Sequence, residues 1–168
     1  EKMADSLFSV IESNYNLLKE YISSHAGDKP AVMLGLPFRD TWYISPGNSY
    51  ISRLIGDAGG RYLWEKTESA VSMPFGLENV YIKSLNADFW LNTGSVLSKD
   101  EIVSIDARLG SVPPFVNGKL FNNNKRLNAS GGNDYWESGT LNPHIILKDI
   151  ASILHPELFP DHGLVYYR

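Results

Sequence analysis

The chain has 168 residues, 43% hydrophobic and 20% charged, which fits one globular domain with a real core and excludes disorder of the whole. Its formal net charge of -4 offers no field to draw it to phosphate backbones, so no nucleic-acid partner is expected. The absence of cysteine excludes a disulfide framework, a thiolate zinc site and thiol catalysis.

No apolar run reaches the ~20 residues that a membrane-spanning helix needs. The first residues do not read as a signal peptide, so any targeting segment is expected upstream. From Phe8, apolar residues recur at Ile11, Tyr15, Leu18 and Ile22, in steps that place them on one face of a helix. Gly27, Asp28, Lys29 and Pro30 break that helix, and residues 31–36 read as a short buried strand.

Residues 37–47 read as a long polar and aromatic loop. Asn48 or Ser49 then caps a helix whose inward face is Tyr50, Ile51, Leu54, Ile55 and Ala58. Gly59 and Gly60 end it as a left-handed cap rather than a phosphate cradle, because no helix follows directly. A strand is expected at 61–64, a helix at 77–84 and a buried strand at 89–92. Ser98 and Glu101 have capping-box spacing and open a short helix through Ile102 and Ile105. Residues 115–121 read as two extended pieces around an Asn117-Gly118 turn. Asn142 and Pro143 open a last helix that carries Ile146, Ile150, Ile153 and Leu154.

Strands separated by helices predict an α/β three-layer sandwich around a mostly parallel sheet. Ligands of such sheets sit outside the carboxyl ends of the strands, which directs attention to residues 37–47, 93–97 and 122–139. The sequence has no dinucleotide or Walker fingerprint and no Gly-x-Ser-x-Gly. His25, His144, His155 and His162 show no metal-ligand spacing, so neither an enzyme nor a cofactor is expected. Asp134 and Glu137 remain a carboxylate pair capable in principle of acid/base work.

Six segments in register carry a resemblance. They are residues 42–49 (Trp-Tyr-Ile-Ser-Pro-Gly-Asn-Ser), 54–60 (Leu-Ile-Gly-Asp-Ala-Gly-Gly), 77–80, 86–91, 116–121 and 154–159. Together they resemble the C-terminal lobe of the periplasmic substrate-binding proteins of iron-siderophore, haem and cobalamin ABC importers, which share a rigid inter-lobe helix. The asparagine- and glycine-rich stretches 122–126 and 131–139 are similar to the branch found in Bacteroides-type bacteria. The resemblance implies that residues 1–29 are the end of the connector or the first helix of the lobe, that 30–168 form the C-terminal lobe, and that the N-terminal lobe is not in this chain. It further implies a monomeric periplasmic protein, lipid-anchored through a segment outside the chain. Its partners would be an ABC permease and a ferric siderophore, haem or cobalamin. The alternatives are a partner-binding or scaffold domain of the same fold and, further off, a small α/β enzyme.

Phe38, Arg39, Trp42 and Tyr43 offer aromatic faces and a guanidinium suited to a flat, partly anionic ligand, or else a loop folded over its own rings. The cleft assignment predicts that Trp42→Ala weakens binding and leaves melting unchanged. Met73 and Thr93 are assigned to the same cleft. Lys125 and Arg126 would neutralise a carboxylate or catecholate, or simply face solvent. Tyr135 and Trp136 either line the cleft or plug the core, with the core favoured for Trp136. Glu78, by resemblance, docks into a basic pocket of the permease; local reasoning has it complement the dipole of helix 77–84.

Overall fold

The computed structural model describes residues 2–168, with side chains from Leu7 onward. It opens with α1 (Lys2–His25), whose described side chains pack against the core from Tyr15 onward. There Ile22 is fully buried, Tyr15 and Leu18 pack against the core, the Tyr15 hydroxyl donates to Asp57 at 2.8 Å, and Lys19 sits 3.0 Å from the same carboxylate. Leu7, Phe8, Val10 and Leu17 are each more than half exposed, so the expected apolar face is covered by this chain at Ile22 and left open at Phe8.

β1 (Ala31–Leu34), β2 (Thr41–Ile44), α2 (Tyr50–Asp57), β3 (Arg61–Tyr62), β4 (Met73–Gly76), α3 (Leu77–Ser84) and β5 (Phe89–Leu91) follow. α4 (Lys99–Ile105), α5 (Pro113–Val116), β6 (Leu120–Phe121), α6 (Ser138–Leu141) and α7 (Pro143–Leu154) complete the fold. The main sheet has the order β3-β1-β5-β6 and every pairing in it is parallel. β1 and β5 are buried at every position, the mark of strands covered on both faces. Since β3 and β5 flank β1 on opposite sides, right-handed crossovers put α2 and α3 on opposite faces of the sheet. α1, α2 and α7 pack together as one layer. The Tyr81 hydroxyl of α3 meets Ser111 at 2.9 Å in the tight turn 107–111, which packs on α4 and α5 in the other layer.

Local chemistry sets the element ends. The Ser49 hydroxyl accepts the Ser52 N–H, and α2 ends in a Schellman cap: Gly60 N–H donates to Ile55 at 2.8 Å, Gly59 N–H to Gly56 at 3.1 Å, and Gly59 takes a φ of 80°. Ser98 and Glu101 form the capping box of α4. Two expectations change. The loop 37–47 contains β2, which pairs antiparallel with β4 as a small second sheet, because Trp42 and Ile44 point inward and need a paired backbone beneath them. Of the two extended pieces expected around Asn117-Gly118, the second is β6, whereas the first is a helical turn at Pro113–Val116, because Pro113 starts a helix well and β6 finds its partner in β5.

The C-terminal residues lie along the sheet edge. Asn122 and Arg168 exchange two backbone hydrogen bonds at 3.0 Å, and Lys125 N–H donates to Tyr166 at 3.1 Å. The fully buried Asp149 on α7 fixes this tail by accepting the N–H groups of Val165, Tyr166 and Tyr167, with His162 Nε2 2.8 Å away. Among the described residues, no helix is long and apolar enough to cross a membrane.

Candidate ligand-binding face

The carboxyl ends of β5 and β6 open onto a cavity of about 590 Å³. Residues after β5 supply Asn92, Gly94, Ser95 and Leu97; residues after β6 supply Asn123, Asn124, Leu127, Gly131, Asn133 and Trp136. None of these side chains is charged. Asn92 has a φ of 58°, in the left-handed region that asparagine tolerates better than most residues.

The asparagines divide by what they hold. Asn122 Nδ2 donates to the carbonyls of Gly94 and Val96, and Asn124 Nδ2 also donates to Val96. Both therefore tie the 94–96 loop to the chain after β6. Asn124 Oδ1 accepts from Arg168 Nε at 2.8 Å, and Asn133 Nδ2 donates to the Asn123 carbonyl at 3.0 Å. Asn123, at a bend between two such anchors, is buried and also borders the cavity, as Asn124 does.

Beneath lies a cluster of phenols. Tyr135 packs edge-on against Tyr166 and Tyr167, with ring centroids 6.1 and 5.9 Å away. Burial pushes the hydroxyls of Tyr135 and Tyr167 above the usual phenol range, so both remain protonated donors. The Tyr135 hydroxyl lies beside Tyr167, Asn92 and Asn123, yet Asn92 Oδ1, Asn123 Nδ2 and Tyr167 OH are buried without a hydrogen bond of proper geometry. Tyr50, at the start of α2, has its hydroxyl pushed up to about 12, first by burial and then by Tyr135, which brings α2 to the same end of the sheet.

The singled-out residues scatter over this end. Phe38 is 65% exposed and Tyr43 57%, and Arg39 lies 5.4 Å over the Phe38 ring at a φ of 55°, in a tight turn closed by Phe38 and Thr41. Met73 is half-buried opposite Ile44 on the small sheet. Lys125 is exposed and its ammonium is held by the Leu164 carbonyl. Arg126 pairs with Asp134 at 3.0 Å and lies 5.5 Å over the Tyr166 ring, so its charge is already met. Glu78 is exposed in the first turn of α3, whose Gly76 cap offers no side-chain bond.

Three placements correct the expectations. Trp42 is fully buried, its indole N–H donates to the Leu34 carbonyl at 3.0 Å, and it packs 6.0 Å from Trp90, so no face of it is free for a ligand. Thr93 is 1% exposed and lies under the 93–98 loop, beside Ile102 and Arg168, rather than in the 590 Å³ cavity. Tyr135 is 3% exposed while Trp136 is 65% exposed and lines the cavity, the reverse of the expected order. For Trp42 the reason is the alternation of β2, which turns Trp42 and Ile44 inward and Tyr43 outward, whereas Tyr135 and Trp136 are neighbours on a tight helical turn at Asp134–Trp136 that sends one ring inward and the other out. Asn92, one place before Thr93, is not among the residues singled out from the sequence, while Trp136 is singled out there and placed in the core.

No family model matches the chain. It is 23% identical over 162 residues to one uncharacterized lipoprotein of Methanocaldococcus jannaschii and 24% over 174 residues to another, covering 95% and 99% of this chain. It spans only 34% and 41% of their lengths. Among solved structures it resembles a periplasmic solute binding protein of Veillonella parvula, with a TM-score of 0.70 and 15% identity over 97% of this chain and 47% of that one. A Helicobacter pylori protein solved with Ni(II) bound gives 0.66 and 14%, over 95% of this chain and 48% of that one. The triscatecholate siderophore binding protein FeuA of Bacillus subtilis, solved with ferri-bacillibactin, gives 0.60 and 18%, over 93% and 54%. This chain therefore has the α/β fold that makes up about half the length of these periplasmic binding proteins.

Proposed function

We propose that this chain is the C-terminal lobe of the substrate-binding component of an ABC importer, which captures an iron complex (siderophore or haem) or cobalamin and delivers it to a membrane permease. The observation that carries this reading is the cavity at the carboxyl ends of β5 and β6, with buried polar atoms still lacking partners at its base. Phe38, Arg39 and Tyr43, exposed at the end of β1, extend the same wall. The exposed apolar residues Leu7, Phe8, Val10 and Leu17 on α1 are where the rest of the protein packs. The lipoprotein names of the M. jannaschii relatives support a protein outside the cytoplasm held by a lipid anchor; in this reading it acts as a monomer with its permease.

Titration of the complete two-lobed protein with ferric siderophores, haem and cobalamin tests this reading, with Trp136 emission as the reporter. Saturable binding is expected, and much weaker binding by this chain alone, since losing one wall removes roughly half of the buried contact area. Silence toward every ligand would leave a partner-binding domain. Glu78, exposed on α3, is the permease contact in this scheme. Glu78→Arg in the complete protein should leave melting and ligand affinity almost unchanged and slow uptake, because removing a charge from a steered contact lowers its association rate. Undiminished transport would leave Glu78 only its place in the field of the helix.

A further inference from the structure

The two loops that border the carboxyl-end cavity come from different strands, 93–97 after β5 and 122–136 after β6. Residues 94–98 are exposed or half-buried throughout, so little apolar contact holds the first loop in place. Among the described residues, its carbonyls are held instead by three side chains. Asn122 Nδ2 donates to Gly94 and Val96, Asn124 Nδ2 donates to Val96 as well, and Arg168 Nη2 donates to Leu97 at 3.3 Å.

Arg168 also holds the second loop from outside it. Its Nε donates to Asn124 Oδ1 at 2.8 Å, and its backbone exchanges two bonds with Asn122, so that one guanidinium bridges both loops. By engaging Oδ1 it further decides which way round the Asn124 carboxamide lies, and so turns Nδ2 toward Val96. The bridge is set from the core. Residues 165–167 hang by their N–H groups on Asp149, fully buried on α7, and the Tyr166 hydroxyl meets Ser138 at 3.0 Å. Arg168 itself is not among the residues that border the 590 Å³ cavity; it borders a separate pocket of about 220 Å³ with Thr93, Val96, Leu97 and Ile102. Any effect it has on a ligand in the cavity therefore passes through the loops.

We propose, resting on the binding role above, that Arg168 is a positioning residue of the carboxyl-end face. Its planar fork clamps loops 93–97 and 122–136 in register, so that a ligand meets a wall that is already ordered. Without the fork the ligand has to order the loops itself, and its stay is shortened. Arg168→Gln and Arg168→Lys in the complete two-lobed protein test this, with ferri-bacillibactin, haem and cyanocobalamin as probes in stopped-flow measurements. Before any probe is added, backbone order parameters at 94–97 should fall in both variants from about 0.85 towards 0.6, with those of β1 and β5 and the melting temperature unchanged. For the probe that the unaltered protein binds, the dissociation rate should rise about tenfold in both, the size of one lost charged hydrogen bond. Lysine keeps the charge but ends in a compact ammonium without the fork. Full recovery by lysine would reduce Arg168 to a charge and overturn the clamp. Order parameters that stay high, or loosened loops with an unchanged dissociation rate, overturn it too, and the transport role stands in each case. A lower melting temperature with order lost in β1 and β5 also overturns it, since Arg168 then holds the whole lobe. If none of the three probes binds the unaltered protein, the binding role falls and this assignment falls with it.

Discussion

The two ends of the parallel sheet carry cavities of opposite character. At the amino ends of β1, β5 and β6, a cavity of about 770 Å³ is bordered by Asp28, Lys29, Asp88, Lys119, His155 and Glu157. It is both larger and more charged than the 590 Å³ cavity at the carboxyl ends. Yet much of its polar lining is occupied. Asp88 accepts the Ala31 N–H at 2.7 Å, His155 Nε2 meets the Gly59 carbonyl at 3.2 Å with Glu157 3.6 Å from its other nitrogen, and Lys119 lies 4.8 Å over Phe89. At the carboxyl ends the lining is neutral, and Asn92 Oδ1 and Asn123 Nδ2, with the Tyr167 hydroxyl buried beneath, have no hydrogen bond. A ligand is attracted by unmet hydrogen-bonding capacity more than by volume or formal charge, because met groups have nothing further to gain. The polar groups of the amino end largely hold the strands in place, which leaves the carboxyl end as the binding surface of the proposed function.

The strongest challenge to this contrast is Trp42, which stands at the carboxyl end and belongs to the scaffold. Trp42→Ala empties the space beside Trp90 and should cost about 3–5 kcal/mol in chemical denaturation, as large-to-small core changes do. Near-normal stability with lost binding would return the ring to the cleft wall and blur the division. At the amino end, Asp88→Ala removes the acceptor of the Ala31 N–H and should cost about 1 kcal/mol while leaving ligand affinity untouched, as isothermal titration would read. A loss of affinity there would make both ends functional.

The smallest effect belongs to Tyr167→Phe. Deleting a buried hydroxyl that has no partner should leave the melting temperature unchanged or slightly raised, since its desolvation is relieved without loss of a bond. A clear drop would mean that the phenol already has a partner and that the cluster is structural.

Much of this arrangement is legible in the residues. The buried runs of β1 and β5, the Ser49 and Ser98 caps and the Gly59-Gly60 helix end are written in short stretches of chain, and the loops 93–97 and 122–139 were the right places to look for a cavity. What escaped was the facing of single side chains inside those loops. The asparagine run 122–124 is uniform in composition, and only the positions of Val96, Gly94 and Arg168 decide which amides are consumed and which one is left over. Asp149 likewise reads as an ordinary polar residue on an apolar helix until the C-terminal tail closes over it.

The sequence by itself determined the elements, their alternation and hence the parallel sheet, because periodicity, caps and glycine conformations act over a few residues. Only the tertiary structure decided that Trp42 goes inward, that Tyr135 and Trp136 exchange their expected roles, and that Asn92 and Asn123 keep free hydrogen-bonding capacity. These outcomes depend on partners that lie tens of residues away, on the phase of β2 for Trp42, and on the tight turn 134–136 and the left-handed Asn92 for the others.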